Sequence, residues 1–216
     1  MKRFSTKKPA TPRVRRPPAP IDAARLNTLA LGYVARFATS AGRLEAYLLR
    51  KLKGPGGGAR QQHEDDTDDE TAGVTPVDLA LDPALMRQEV TDLVARFVAA
   101  GYIDDRAFAS ARSGGLQRRG FGRRHIAQAL GQAGIASEVA AAALPGEQAA
   151  RQAALTLARK RRLGPFGAAP LERAAREKQI AVLLRAGHPL DSARKLVNAA
   201  SVEAAEAWAR DDEEDY

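Results

Sequence analysis

The sequence contains no cysteine, few aromatic residues and no long hydrophobic run. Without cysteine, the chain has no disulfide bonds, no thiol catalysis and no cysteine-ligated metal. Aromatic residues make up 5% of the chain, and alanine and leucine carry most of the 44% that is hydrophobic, which favours helices over strands. No apolar run approaches the ~20 residues that cross a bilayer. The basic N-terminus has no apolar stretch behind it, so we predict a cytoplasmic protein without a secretory signal or a membrane span.

Residues with catalytic or metal-binding chemistry are also scarce. His63, His125 and His188 are scattered, without acidic or histidine partners at ligand spacing, so no metal site is expected. The adjacent carboxylates of Asp104 and Asp105 stand at a predicted helix start, where acids ordinarily act as caps. Phosphate-binding loops, nucleophile elbows and zinc-protease motifs do not occur. The sequence therefore predicts a protein that is not an enzyme and that uses no cofactor.

The net charge of +8 is distributed in blocks along the chain. Residues 1–21 carry seven Lys or Arg and no acid, and residues 101–185 carry fifteen basic and six acidic side chains. Residues 54–76 hold six acids against one arginine, and residues 211–215 are all acidic. Basic blocks of this kind are typical of proteins with polyanionic partners, although any one block is also compatible with a solvated surface.

Apolar residues recur at helical spacing through most of the chain, separated by clear start and stop residues. Helix N-caps are predicted at Ser40, at Asp82 before Pro83, at Asp104 or Asp105, and at Ser137. Further helices are predicted to start at Pro170 and at Pro189, the latter reaching about Ala200. Helix ends are predicted before Gly54, Gly101, Gly134 and Gly187, because glycine is favoured just after a helix. A last helix contains Trp208.

The helices repeat in sets of three. Leu130 and Leu183 each stand four residues before a glycine that is followed by another helix, and residues 43–52 form a looser first copy. We therefore predict an all-α protein of three tandem three-helix modules in an elongated, curved array with disordered termini. The predicted parts are a disordered basic tail (1–20), a first module (22–100) interrupted by a flexible acidic insert (54–76), a second module (101–145), a third module (146–210) and an acidic tail (211–216).

Two basic clusters are the candidate binding residues. The first surrounds a predicted helix junction, and the helix that starts there would also turn backbone N–H groups toward an anion. The second stands at a helix end, where cations are favourable even without a partner. Phe121, between the arginines of the first cluster, is either an inter-helix core residue or a partner contact. The clusters are Arg118, Arg119, Arg123 and Arg124, and Arg159, Lys160, Arg161 and Arg162.

The central segment resembles the RecX family. The resemblance rests on GYIDD at 101–105 with Phe108-Ala109, and on RGFG at 119–122 followed by Ile126, Leu130 and Gly134-Ile135. Residues 43–52 are similar to the first repeat of that family, and the match covers roughly residues 22–53 and 77–200. The resemblance implies tandem three-helix repeats and a modulator of the RecA recombinase. Such a modulator would bind in the groove of the RecA–DNA filament and hinder its growth and activities.

Two hypotheses from different classes follow. The first is a monomeric regulator of RecA that inhibits its recombinase, ATPase and co-protease activities in DNA repair and the SOS response, with weak binding to single- or double-stranded DNA. The second is a non-specific helical DNA-binding protein that contacts phosphates through the two basic clusters. A steep salt dependence, about −0.9 in log–log slope per phosphate contacted, would indicate the second. No helix carries side chains spaced to read bases, which argues against sequence-specific recognition.

Overall fold

The computed structural model describes residues 22–52, 83–167 and 172–210, and all regular structure within these ranges is helical. The predicted all-α class is confirmed for the described residues, and the predicted tails and acidic insert lie outside them. A 3₁₀ helix, Gly164–Phe166, follows the seventh α-helix. The α-helices are α1 Ala23–Arg36, α2 Ala41–Leu52, α3 Pro83–Ala99, α4 Asp105–Arg118, α5 Arg123–Gln132, α6 Ser137–Ala142, α7 Glu147–Arg161, α8 Arg173–Arg185, α9 Leu190–Val197 and α10 Val202–Arg210.

Most helix ends follow the predicted capping chemistry. The Asp104 carboxylate accepts the backbone N–H of Ala107 at 2.9 Å, which confirms Asp104 as the cap of α4. The predicted stop glycines after α3, α5 and α8 have left-handed backbone, with φ of +75° at Gly101, +71° at Gly134 and +90° at Gly187. Only glycine adopts this conformation without a steric cost, which explains why a glycine ends each of these helices.

Three predicted boundaries are wrong. Ser137 is the first residue of α6 and not its cap, because the extended residue before the helix is Ala136. α8 begins at Arg173 after the extended Glu172, three residues beyond the predicted start at Pro170, which itself lies outside the described residues. α9 ends at Val197, because Asn198 already departs from helical geometry and the chain then turns into α10.

The helices divide into three groups, each with its own apolar core. In the first group α1, α2 and α3 bury Leu26, Leu44, Leu48, Val90 and Phe97. In the second, α4, α5 and α6 enclose Leu116, Ile126, Leu130 and Ile135. In the third, α7, α8 and α9 are joined by a fourth helix, α10, around Leu155, Ile180, Leu183 and Leu196. The order of the groups is that of the predicted modules, whose boundaries remain predictions.

The second helices of the three groups meet at their ends. The start of α2 lies on the end of α5, where the Ser40 hydroxyl donates to the Ala133 carbonyl at 2.5 Å. The start of α5 lies on the end of α8, where the Gly122 N–H donates to the Ala186 carbonyl at 2.8 Å. We call these contacts the first joint and the second joint. Each brings a helix N-terminus to a helix C-terminus, so the partial charges of the two ends attract.

Candidate functional site

The first predicted basic cluster surrounds the second joint, at the turn between α4 and α5. Gly120, in this turn, has φ of +91°, and a Cβ added there would lie 2.9 Å from the Leu157 Cβ on α7. The turn is therefore pressed directly onto the third group. Only a residue without a side chain allows this approach together with left-handed backbone.

The other side of the turn rests on the loop between α8 and α9. A Cβ on Gly122 would lie 2.4 Å from the Gly187 carbonyl oxygen. The Arg124 N–H donates to that same oxygen at 3.3 Å. The N–H groups of Gly122 and Arg124 thus bind carbonyls at the end of α8. The expectation that backbone N–H groups at the start of α5 face an external anion is therefore wrong for the N–H groups of Gly122 and Arg124.

His188 holds the joint from the third group. It is buried, with 4% of its surface exposed, and its Nε2 donates to the Gly120 carbonyl at 2.9 Å. Burial lowers the pKa of His188 below its ordinary value of 6.5, and the hydrogen bond to Gly120 opposes that shift only partly. The imidazole is therefore kept neutral, and its role is to fix the turn.

Phe121 connects the cores of the two groups. Its half-buried ring packs against both the second and the third core, which supports the interpretation of an inter-helix core residue. One ring face stacks on His125 with centroids 4.1 Å apart. The Arg119 guanidinium lies 5.4 Å from the ring centroid. Arg119, Phe121 and His125 thus form a short stack at the edge of the joint.

The four arginines of the first cluster are all exposed. Arg118 and Arg119 end α4, and Arg123 and Arg124 begin α5, with the fixed Gly120–Gly122 turn between them. Because the turn is held by α7 and by the α8–α9 loop, the bases of these side chains have defined positions. The arrangement presents several guanidinium groups to an anionic surface, for which arginine is well suited.

A fifth arginine contributes to this surface and was missed in the sequence. Burial, followed by the positive charges of Arg119 and Arg112, lowers the pKa of His125 below its ordinary value of 6.5. Arg112 lies on α4 two helical turns before Arg119, on the same face of the helix. This seven-residue spacing was the signal available in the sequence. Arg112 therefore adds positive charge to the surface around the second joint, and with Arg119 it reinforces the effect of burial on His125.

The second predicted cluster is partly occupied by contacts within the protein. All four residues of 159–162 are exposed at the end of α7. Arg159 forms an ion pair with Glu206 on α10 and lies 5.7 Å from the ring centroid of Phe166. Arg162 has left-handed backbone with φ of 54°, a position usually taken by glycine after a helix. Arg159 therefore ties α7 to α10.

The two basic clusters border the same part of the third group but are not connected. Leu157, which touches Gly120, lies two residues before Arg159 on α7. Within the described ranges, no hydrogen bond or ion pair joins a residue of one cluster to a residue of the other.

Two other residues at the joints have partners that the sequence does not indicate. The Asp105 carboxylate accepts the backbone N–H of Ala41 at 2.9 Å and so caps α2 of the preceding group, while Asp104 caps α4. His188 looked isolated because Gly120, its partner, is 68 residues away along the chain. Neither contact has a local sequence signal.

The described ranges contain neither a metal-binding cluster nor a membrane-spanning helix. No group of three or more His, Cys, Asp or Glu side chains there is placed to hold a metal ion. None of the helices in that part of the chain is both long and apolar enough to cross a bilayer.

The fold and this site define a class of protein: an all-helical array of small helical groups with a basic surface at one junction. Residues 104–144 match the family model described as RecX, second three-helix domain. The chain is also 31% identical over 188 residues to the regulatory protein RecX of Myxococcus xanthus (strain DK1622), an alignment that covers 84% of this chain and 88% of that protein. The chain belongs to the RecX family.

A solved structure has the same fold. The crystal structure of RecX from Lactobacillus salivarius superposes with a TM-score of 0.53 at 17% identity, over 79% of this chain and 91% of that one. At this identity the similarity concerns the fold alone. It confirms that the helical arrangement described above is one adopted by a RecX protein.

Proposed function

We propose that this protein regulates RecA: it binds the RecA–DNA filament and inhibits the recombinase, ATPase and co-protease activities of RecA in DNA repair and the SOS response, without catalysing a reaction itself. Membership of the RecX family and the name of the Myxococcus relative, a regulatory protein, support this proposal. The observation that carries it is the basic surface at the second joint. Its four predicted arginines lie inside the segment that matches the family model.

A rigid turn and a high positive charge at the second joint favour a filament as the partner. The Gly120–Gly122 turn is fixed from two sides, so the backbone that carries the flanking arginines loses little conformational freedom on binding. Exposed arginines around a half-buried aromatic ring are typical of protein interfaces, where arginine is enriched. A filament offers both acidic protein surface and DNA phosphates to such a site.

A titration of the DNA-dependent ATPase of RecA tests the proposal. We expect the purified full chain to inhibit at concentrations well below those needed to coat the DNA, because a filament-specific contact acts at few sites. Inhibition that appears only when the DNA is saturated would contradict the proposal, since simple competition for DNA would then explain it.

The second candidate is non-specific DNA binding through phosphates. The observation that favours it is the positive surface around Arg119 and Arg112, whose charges add to burial in lowering the pKa of His125. The eight residues of the two basic clusters would then dominate affinity. We expect a log–log salt slope of roughly −0.9 per phosphate contacted on duplex DNA, and a flat slope would exclude this activity as the main one.

The remaining parts of the proposal concern the setting of the protein. We infer a cytoplasmic monomer that uses no cofactor, with RecA as its main partner and DNA as a weaker one. Sedimentation of the purified chain, with and without RecA filaments, measures both the oligomeric state and the association.

A further inference from the structure

A row of aromatic rings crosses α1 and α2 of the first group, away from the predicted basic clusters. Tyr33 on α1 stacks on Tyr47 of α2, with centroids 4.3 Å apart and planes inclined by 21°. Phe37 lies tilted against Tyr33, with centroids 5.3 Å apart. We call Phe37, Tyr33 and Tyr47 the ring row.

The exposure of Phe37 is not explained by packing within the first group. It is 53% exposed, whereas the other phenylalanines of the described ranges are buried or half-buried. Tyr33 and Tyr47 pack against the first core, but Phe37 is not part of that packing. A single exposed phenyl ring is common on protein surfaces, but Phe37 continues through Tyr33 to Tyr47 as one contiguous aromatic surface, and such a surface indicates a contact site.

Cations flank the other end of the row. The Arg50 guanidinium lies 5.9 Å from the Tyr47 ring centroid, and the Lys51 ammonium lies 5.5 Å from it. Neither cation belongs to an ion pair within the described ranges, where the ion pairs are those of Arg151 with Glu147 and Arg159 with Glu206. Arg36, the residue before Phe37 in the chain, is a further exposed cation at the end of α1.

Aromatic faces combined with cations fit one kind of ligand best. In single-stranded DNA the unpaired bases stack on aromatic side chains while cations follow the phosphates. A duplex hides its base faces, and an acidic protein segment would use the cations but not the exposed ring. We propose that the ring row, with Arg50 and Lys51, is a stacking site for single-stranded DNA.

This inference goes beyond the RecA proposal and does not depend on it. The RecA proposal concerns arginines at the second joint, whereas the ring row lies on the first group. The DNA alternative also rests on phosphate contacts alone, and stacking on Phe37 requires bases. Stacking on the ring row and phosphate contacts alone can therefore be distinguished with the same protein and different DNA probes.

The test measures binding of the full chain to fluorescent oligothymidylate of about 20 nucleotides and to an abasic deoxyribose-phosphate oligomer of the same length. We expect Phe37→Ala to weaken oligothymidylate binding by about fivefold or more, because stacking of one base on an aromatic ring contributes at least that much. Binding to the abasic oligomer and the salt slope should not change. Arg50→Gln should weaken both probes and reduce the slope by about 0.7, the value for one phosphate of a single strand.

Matched variants separate stacking from damage to the fold. Leu85→Ala removes a side chain of the same group that is 58% exposed, and it should leave both probes unaffected. Phe37→Trp keeps an aromatic face and should retain oligothymidylate binding. Its added indole emission should be quenched by oligothymidylate and not by the abasic oligomer.

Three results would overturn the inference. Unchanged oligothymidylate affinity in Phe37→Ala would remove the ring from the site, and an equal loss with the abasic oligomer would exclude stacking. A loss of RecA inhibition in Phe37→Ala with DNA binding intact would identify the row as a protein contact. Conversely, wild-type protein that binds oligothymidylate through Phe37 but leaves RecA unaffected would refute the RecA proposal and keep this one.

Discussion

The two joints make the same end-to-end contact between helices, but they use different chemical groups. In both, the carbonyl before a left-handed glycine accepts a hydrogen bond from the residue that precedes the second helix of the previous group. At the first joint the donor is the Ser40 hydroxyl, and at the second it is the backbone N–H of Gly122. The first joint thus depends on a side-chain hydroxyl and the second on backbone donors, but both bring backbone together closely, since a Cβ on Gly42 would lie 2.7 Å from the Gly134 Cα. Removal of the Ser40 hydroxyl should weaken the first joint, whereas an added Cβ at a contacting glycine should weaken either joint.

The joints also differ in what they display to solvent. When Leu44 and Leu48 of α2 are aligned with Ile126 and Leu130 of α5, Ala41 and Gly42 correspond to Arg123 and Arg124. The first joint is therefore uncharged at positions where the second carries two exposed arginines. The Gly134 backbone leaves no room for a Cβ on Gly42, whereas the second joint leaves the side chains of Arg123 and Arg124 in solvent. Packing does not require arginine at the second joint, so we interpret these two arginines as residues that serve a partner.

The largest effect is expected from Gly187→Ala at the second joint. The new Cβ would lie 2.4 Å from the backbone nitrogen of His125, and Gly187 has a φ of +90°. The substitution therefore adds both a backbone clash and conformational strain. We expect the free energy of unfolding to fall by about 2–4 kcal/mol. Urea denaturation followed by circular dichroism measures it.

Gly131→Ala provides the control for that variant. Gly131 lies within α5, and an added Cβ there meets nothing within 4 Å. Alanine is the better helix former, so this substitution should stabilise the protein by about 0.5–1 kcal/mol. If both glycine variants changed stability equally, the close approach at the second joint would not be the cause of the loss.

At the first joint, Ser40→Ala should have a smaller but clear effect. The buried hydroxyl donates to the Ala133 carbonyl and accepts the Arg43 N–H at 3.3 Å, so its removal leaves both backbone groups without this partner. We expect a loss of about 1–2 kcal/mol in the free energy of unfolding. Ser137→Ala, which removes a serine that makes no capping bond at the start of α6, should be nearly neutral. Equal losses in the two variants would argue against the joint.

The smallest effect is a pH dependence confined to the second joint. The pKa of His188 is lowered in the folded protein by burial, so the unfolded chain binds the proton more readily. Stability is therefore full above the ordinary value of 6.5 and should decrease as the pH falls below it, toward the lower pKa of the folded state. His125 contributes in the same direction.

Thermal unfolding between pH 7.5 and pH 5, values chosen to bracket the ordinary histidine pKa of about 6.5, measures this dependence. In His188→Gln, whose amide can donate to the Gly120 carbonyl but does not titrate, the decrease should be smaller. A decrease of the same size in the variant would assign the pH dependence to other groups.

Local sequence signals predicted the helices and most of their ends. The glycines that end α3, α5 and α8 and the Asp104 cap follow from backbone sterics and hydrogen bonding within a few residues. They are therefore visible in the sequence. The joints were not predictable in this way, since Ser40 and Ala133 are 93 residues apart. The arginine cluster was found from its density, but Arg112 was missed because a spacing of seven residues is common on any helix. Ser137 was misassigned because an extended alanine can precede a helix as well as a serine.

The central claim is that the basic surface of the second joint acts on RecA filaments, and one comparison tests it most directly. The DNA-dependent ATPase of RecA is measured with wild type, with Arg123→Ala/Arg124→Ala, and with Arg173→Ala/Arg176→Ala, which removes two exposed arginines of α8 and the same charge. We expect the first variant to need about tenfold more protein for half-inhibition, which corresponds to a combined loss of about 1.4 kcal/mol from two interface arginines, and we expect the second to match wild type. Equal inhibition by all three proteins would contradict the account.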